Sequence, residues 1–291
     1  MGEAKDIVLR PITAQEANAL VRRVHYSGKV VNNSQLHIGV YYHGRLEGAM
    51  QFGPSLDKRK IQGLVTGTAW HEFVELNRMA FTDALPRNSE SRAIGIAMKL
   101  LRKFAPQVKW VVTFADGTQC GDGTIYRAAG FVLTGIKEND QIWVMPDGEI
   151  TTRLVATDTR RPGRDRLINR VTQTKGKNIF HTASVRPGIG AIGCAARTGG
   201  ASSMKYFKDN GAYPLSGYQL RYIYFIDPTF RARLTVPELP YSEIERRGAG
   251  MYKGKPRGRG ETDNAAESNP QTGGASPTRP LLEGDRQVTV D

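Results

Sequence analysis

The chain has 291 residues, enough for one large domain with a real core, and carries 41 Lys and Arg against 28 Asp and Glu, a net charge of +13. Two cysteines, Cys120 and Cys194, are too few for a disulfide framework or a thiolate metal site and fit a reducing cytoplasm. No run of about 18 apolar residues occurs and no signal peptide opens the chain, so the expectation excludes membrane and secretory classes. The charge is uneven. Residues 151–260 hold 21 basic and 7 acidic side chains, while residues 1–150 carry +3 and residues 261–291 carry −4. A basic middle third points to a polyanion, usually nucleic acid; a solvated basic surface is the plainer alternative.

In chain order, Ile7–Pro11 reads as an edge strand that stops at its proline. Thr13 with Glu16 three residues on is a capping-box signal, opening a helix through Ala17, Leu20, Val21 and Val24. That helix ends at a mixed polar loop, His25-Tyr26-Ser27-Gly28-Lys29. Leu36–Tyr42 and Leu46–Phe52, joined by His43-Gly44-Arg45, read as a β-hairpin. Phe73–Phe81 is a mixed strand. Asn88 or Ser89 can cap a following helix whose apolar stripe is Ala93, Ile96, Ala97, Leu100, Leu101 and Phe104. Trp110–Ala115 is a short apolar strand, and a strand–helix–strand unit implies that it runs parallel to Phe73–Phe81.

Asp116-Gly117 and Gly121-Asp122-Gly123 are turn signals, Tyr126 to Phe131 closes a short helix, and Gln141–Met145 is a further strand before the turn Pro146-Asp147-Gly148. From about Asp158 basic residues crowd a stretch with few large apolar side chains, and residues 188–203 are Gly-rich and poorly periodic. Strand alternation returns at Tyr218–Ile226, so residues 151–215 read as a basic insertion before the last strand, residues 216–236. From Gly254 the composition is that of a disordered tail, giving a domain over residues 1–250 and a tail over 251–291. No internal repeat is found.

A hairpin, a strand–turn–helix–strand unit and a closing Tyr126-x-x-x-Gly130-Phe131 resemble the layout of the GNAT acyltransferases, an α/β fold with a mixed sheet and flanking helices. More specific are His25-Tyr26-Ser27-Gly28-Lys29-Val30-Val31, Leu36-His37-Ile38-Gly39-Val40, Glu75-Leu76-Asn77-Arg78-Met79, Arg87-Asn88-Ser89-Glu90-Ser91 and Phe114-Ala115-Asp116-Gly117. Together they are similar to the Mom family of phage DNA-modification proteins, over about residues 5–252. The resemblance implies an enzyme of the host cytoplasm that converts adenine in double-stranded DNA to N6-carbamoylmethyladenine, shielding phage DNA from restriction. A coenzyme A-dependent acyltransferase acting on a protein or small amine, and a DNA-binding accessory protein, stay open as alternatives.

One stretch departs from ordinary GNAT proteins. Where they place glycines around a coenzyme A pyrophosphate, this chain has Glu90 and Arg92, whose side chains block close backbone approach. That argues against acetyl-CoA, which remains the alternative donor. The product also has a CH2, not a carbonyl, on the adenine nitrogen. Glycyl transfer to N6 would give an isomer of it, whose amine could attack C6 through a five-membered ring and expel the original nitrogen as the amide. A glycyl-tRNA-type donor would supply those atoms, with tRNA as a further partner for the basic insertion.

Candidate residues follow, each against a structural alternative. His37, alternating away from Leu36 and Ile38, is a candidate base or a structural histidine. Asp116, at the end of a parallel strand, is a candidate reactive group or a turn residue. Tyr126 stands where GNAT enzymes often carry a general acid, or is a core tyrosine. Arg87, Asn88, Ser89 and Ser91 are the donor-site candidates at a helix N-terminus, where capping alone is the alternative. His25, Tyr26, Ser27 and Lys29 would line the substrate side. Arg160, Arg161, Arg164, Arg166 and Arg170 are phosphate-contact candidates. His37 with Asp116 and Asp122 is a possible iron site, without tight ligand spacing to support it.

Overall fold

The β-branched and aromatic runs become strands, and seven of them join one mixed sheet. The computed structural model describes residues 3–25, 27–118, 121–145, 150–153, 204–252 and 255–256, all within the unit Met1–Arg257. The elements are β1 (Val8–Pro11), α1 (Ala14–Val24), β2 (Leu36–Tyr42), β3 (Arg45–Gly53), α2 (Lys58–Gln62), β4 (Phe73–Phe81), α3 (Ser89–Phe104), β5 (Trp110–Asp116) and α4 (Thr124–Ala128). They continue with β6 (Val132–Glu138), β7 (Ile142–Val144), β8 (Ile150–Thr152), α5 (Met204–Asp209), β9 (Tyr213–Pro214), β10 (Tyr218–Phe225) and α6 (Ser242–Arg246).

The sheet order is β1-β2-β3-β4-β5-β10-β6, and β7 lies between β8 and β9 in a separate three-stranded sheet. Only β4 and β5 are parallel, because α3 carries the chain back between them; the other pairs are antiparallel. This is the mixed α/β sheet that a GNAT-type layout requires. The returning strand enters the middle, not the edge: β10 pairs with β5 from Gln219 to Phe225 and with β6 on its other side. Strand β6 was not foreseen from sequence. Its own alternation is weak, and it gains its place from pairing with β10.

The capping box forms as read, with Glu16 N–H donating to Thr13 Oγ1 at 3.2 Å and Thr13 N–H to Glu16 Oε2 at 2.8 Å. The hairpin closes on His43 and Gly44, both at positive φ, the conformation a tight two-residue turn demands. Two of the sequence expectations for α3 need correction. Its buried face is Ser89, Ala93, Ile94, Ala97, Met98 and Leu101, while Phe104 is 70% exposed. Ile94 and Met98 hold the centre of that face, while the expected Ile96 packs at its margin and Leu100 is only partly buried, because a helix laid on a sheet buries the side the sheet dictates. Asn88 is the N-cap by position, yet it sits in the left-handed region (φ 68°) and makes no side-chain cap.

Strand alternation separates two cores. On one face α3 and α4 cover Ile38, Val40, Met50, Phe52, Leu76, Val111, Ala115, Leu133 and Tyr222. On the other, α2 and the 228–233 turn meet Phe73, Trp110, Val112 and Ile223, while Ala17 and Leu20 of α1 pack on Ala49. The candidate site lies on this second face.

Candidate active site

Strands β4 and β5 pair only from Phe73–Trp110 to Glu75–Val112, although they run on to Phe81 and Asp116. The sheet therefore splits just beyond Glu75. Below the split the joint is rigid: Phe73 stacks on the fully buried Trp110 (centroids 4.6 Å, interplanar 8°), and Trp110 Nε1–H donates to Thr68 Oγ1 at 3.2 Å. At the split, Thr113 Oγ1–H donates to the Leu76 carbonyl at 3.3 Å.

On the β3 side the register shifts, with Gln51 opposite Arg78 but Phe52 opposite Leu76, so Asn77 is an extra residue in β4. Such a bulge re-aims the side chains around it. Here it leaves Glu75 and Arg78 on the α1 face, beside the split. Arg78 faces Gln51, and Gln51 faces His37, so the three make one row across β4, β3 and β2. Gln51 is fully buried under α1; its Nε2 donates to Asn18 Oδ1 at 3.0 Å and to His37 Nδ1 at 3.1 Å, and its Oε1 has no partner. With Nδ1 accepting, the neutral His37 ring carries its proton on Nε2. Burial holds the His37 pKa below the ordinary value.

The loop after α1 folds onto the same row. Arg78 Nε donates to the Lys29 carbonyl at 3.2 Å and Nη1 to the Asn77 carbonyl at 2.9 Å. His25 Nδ1 accepts from Ser27 N–H at 3.1 Å and lies 2.9 Å from Ser27 Oγ. Burial first, and the Arg78 charge second, push its pKa down to about 4, so it is neutral at pH 7. Ser34 Oγ–H donates to Asn77 Oδ1 at 3.2 Å. Burial raises the Glu75 pKa, opposed by Ser55, Asn77 and Arg78. A carboxyl held above its usual range beside a guanidinium is suited to moving a proton.

Of the residues expected from sequence, His25, Ser27, Lys29 and His37 are thus brought to one row. Asp116 stands on β5, past the split, where its Oδ1 accepts from Thr118 N–H at 3.0 Å. Strands β3 and β4 lie between it and His37, a separation of roughly 14 Å at ordinary strand spacing. Asp122 is taken up locally, accepting from Thr124 N–H at 3.0 Å and Oγ1 at 2.6 Å and pairing with Arg127 at 3.0 Å. His37, Asp116 and Asp122 are therefore not brought together as the candidate iron site, and among the described residues no group of three His, Cys, Asp or Glu could hold a metal. Tyr126 is buried in the core with Phe131 and Tyr222, ring centroids 5.8 and 5.6 Å away, the setting of a structural tyrosine.

At the start of α3, Arg87 is exposed, Ser91 Oγ–H donates to the Asn88 carbonyl at 3.3 Å, and Ser89 is buried with Oγ unpartnered. Tyr26, Cys120, Arg160, Arg161, Arg164, Arg166 and Arg170 lie outside the described residues. Sequence reasoning quoted Glu75, Asn77 and Arg78 but gave them no role, and it passed over Gln51. The available signal was three polar residues within four positions of a strand whose ends are apolar.

The Mom protein family matches residues 6–243 of this chain. The methylcarbamoylase Mom of Escherichia phage Mu is 39% identical over 137 residues, covering 47% of this chain and 56% of that protein. The chain thus spans little more than half the length of the curated relative it matches. Among solved structures, a Bacillus subtilis acetyltransferase in complex with coenzyme A aligns at 14% identity over 46% of this chain and 80% of its own, with a TM-score of 0.33. A GNAT family acetyltransferase from Elizabethkingia anophelis with acetyl-CoA bound aligns at 16% over 46% and 81%, also with a TM-score of 0.33.

Proposed function

This chain belongs to the Mom protein family, and from that premise we propose that it modifies the exocyclic amine of adenine in double-stranded DNA, yielding N6-carbamoylmethyladenine. The observation that carries the reading is the convergence at the β4 bulge. His25, His37, Gln51, Glu75 and Arg78 are scattered over 54 positions of sequence, yet they gather along a row that runs from β2 to the parallel β4–β5 joint. The relative from phage Mu is named a methylcarbamoylase.

The target adenine leaves the stack and enters the split from the α1 face. Glu75 takes the proton that N6 loses as the new nitrogen–carbon bond forms, and returns it to the departing hydroxyl of the carrier. Arg78 and the Nε2–H of His37 orient the base, Asp116 stands on the opposing wall, and the donor sits toward the N-terminus of α3, at Arg87, Asn88, Ser89 and Ser91. The donor is a glycyl ester of the tRNA type. Transfer to N6 and attack of the glycyl amine on C6 then break the old C6–N6 bond and leave that nitrogen as the amide. Glu90 and Arg92 in place of glycines support this donor over acetyl-CoA. The Arg160 to Arg170 run supplies phosphate contacts for the polyanions involved.

The test is mass spectrometry of nucleosides from DNA of cells expressing the chain, against Arg78→Ala and Asp116→Ala. The expected result is an adenosine heavier by a two-carbon amide, lost in both variants. Unmodified DNA from well-expressed wild-type protein sinks the reading. Modification by purified protein with acetyl-CoA and an ammonia source, without an aminoacyl carrier, sinks the donor assignment alone.

A further inference from the structure

The loop between β3 and α2 holds the most exposed large apolar side chain among the described residues: Leu56, 94% exposed. Its neighbours are fixed. Ser55 is buried, and Asp57 caps α2 by accepting from Lys60 N–H at 3.4 Å. A second apolar group lies close by, because Lys58 Nζ sits over both the half-exposed Trp70, 4.3 Å from its centroid, and Phe73, at 5.5 Å. Arg59 and Lys60 follow in α2 and are exposed, and the exposed Arg233 lies beside the turn at Gly67 with its guanidinium over Phe230, 4.1 Å from the centroid. None of the ion pairs among the described residues takes Lys58, Arg59 or Lys60, while the Arg233 charge helps to hold the Asp227 pKa down. An apolar tip and an indole, with the cations of the first turn of α2 next to them in the chain, match a polyanion that also offers stacked aromatic rings.

The same loop leaves directly from the candidate site. Gly53 pairs with Glu75, a side chain there would meet the Asn33 carbonyl and Asn77 Oδ1, and Asn33 Nδ2 donates to the Pro54 carbonyl. Two residues separate Gly53 from Leu56.

We propose that the 54–60 segment, the loop and the first turn of α2, opens the DNA duplex: Leu56 enters the stack where the target base leaves, and Lys58, Arg59, Lys60 and Arg233 hold the flanking phosphates. An inserted apolar side chain replaces the stacking that the flipped base gives up, and so offsets the cost of opening. The proposal rests on the reading of the chain as a DNA-adenine modifier and deepens it by naming the surface that meets the duplex.

The test uses the purified full chain and duplexes with 2-aminopurine at adenine positions in randomised flanks, so that it needs no donor. Unstacking of the probe brightens its fluorescence. Wild type is expected to raise the signal on the paired duplex severalfold. Leu56→Ala is expected to bind within about threefold of wild type while losing most of that rise, yet to match wild type on a duplex whose probe faces an abasic site and is already open. Lys58→Ala/Arg59→Ala/Lys60→Ala is expected to weaken binding at least tenfold and to flatten its salt dependence. A full fluorescence rise with Leu56→Ala overturns the proposal, as does wild type that binds without opening or does not bind. Wild type that opens the duplex through Leu56 while cellular DNA stays unmodified would instead overturn the adenine-modification reading.

Discussion

Replacing His25 by glutamine isolates the cost of charging an imidazole beside Arg78. In the folded chain Nδ1 accepts from Ser27 N–H at 3.1 Å, and burial together with Arg78 pushes the pKa down to about 4 from the ordinary 6.5. The unfolded chain takes up a proton near pH 6.5 that the folded chain refuses until about pH 4. Stability is therefore highest above pH 6.5 and falls on acidification through that window, the opposite of a histidine that gains an anionic partner. At about 1.4 kcal/mol per pH unit the loss from this one group is about 2 kcal/mol at pH 5 and close to 3 at pH 4, with partial exposure of the ring making these upper figures. The His25→Gln side chain keeps an oxygen acceptor for Ser27 but does not titrate. Urea unfolding at pH 7.5 and pH 5.0 is the assay, since the carboxylates and His37 titrate alike in both proteins and cancel in the difference. Wild type should lose about 2 kcal/mol more than His25→Gln over that interval. Parallel losses would show that His25 charges freely, and the tight seat of the 25–35 loop on Arg78 would be refuted.

Glu75→Gln should abolish adenine modification while leaving stability at pH 7 unchanged or slightly raised, because burial already disfavours the carboxylate; retained modification in the nucleoside assay would exclude Glu75 as the proton carrier. At Gly53 an added Cβ would stand 2.3 Å from the Asn33 carbonyl, a backbone atom. Gly53→Ala should therefore cost on the order of 2–4 kcal/mol in urea unfolding and displace the 33–34 segment from Asn77. Thr68→Val strips the acceptor from the buried Trp110 Nε1–H. The expected cost is about 1–3 kcal/mol with a shift in tryptophan emission, and an unchanged unfolding midpoint would mean that this bond does not hold the β4–β5 joint.

Local pattern carried the elements. Thr13 and Glu16 announce α1, His43-Gly44 the hairpin, and Trp110–Ala115 the strand that runs as β5, because caps, positive-φ turns and strand alternation depend on residues a few positions apart. The motif around Glu75, Asn77 and Arg78 was equally legible, although its purpose was not. What sequence could not supply were relations between distant residues. The buried side of α3 turned on where the sheet lies, which put Ile94 and Met98 at its centre and left Ile96 at its margin. That β10 slips between β5 and β6 is decided by pairing across a separation of more than 100 residues from β5. The bulge at Asn77 exists only against Gln51 of β3, and the split exists only because β4 and β5 share three pairs before parting. Residue types were set by the chain alone. Their meeting on one face of the sheet was set by register and packing, which no local periodicity encodes.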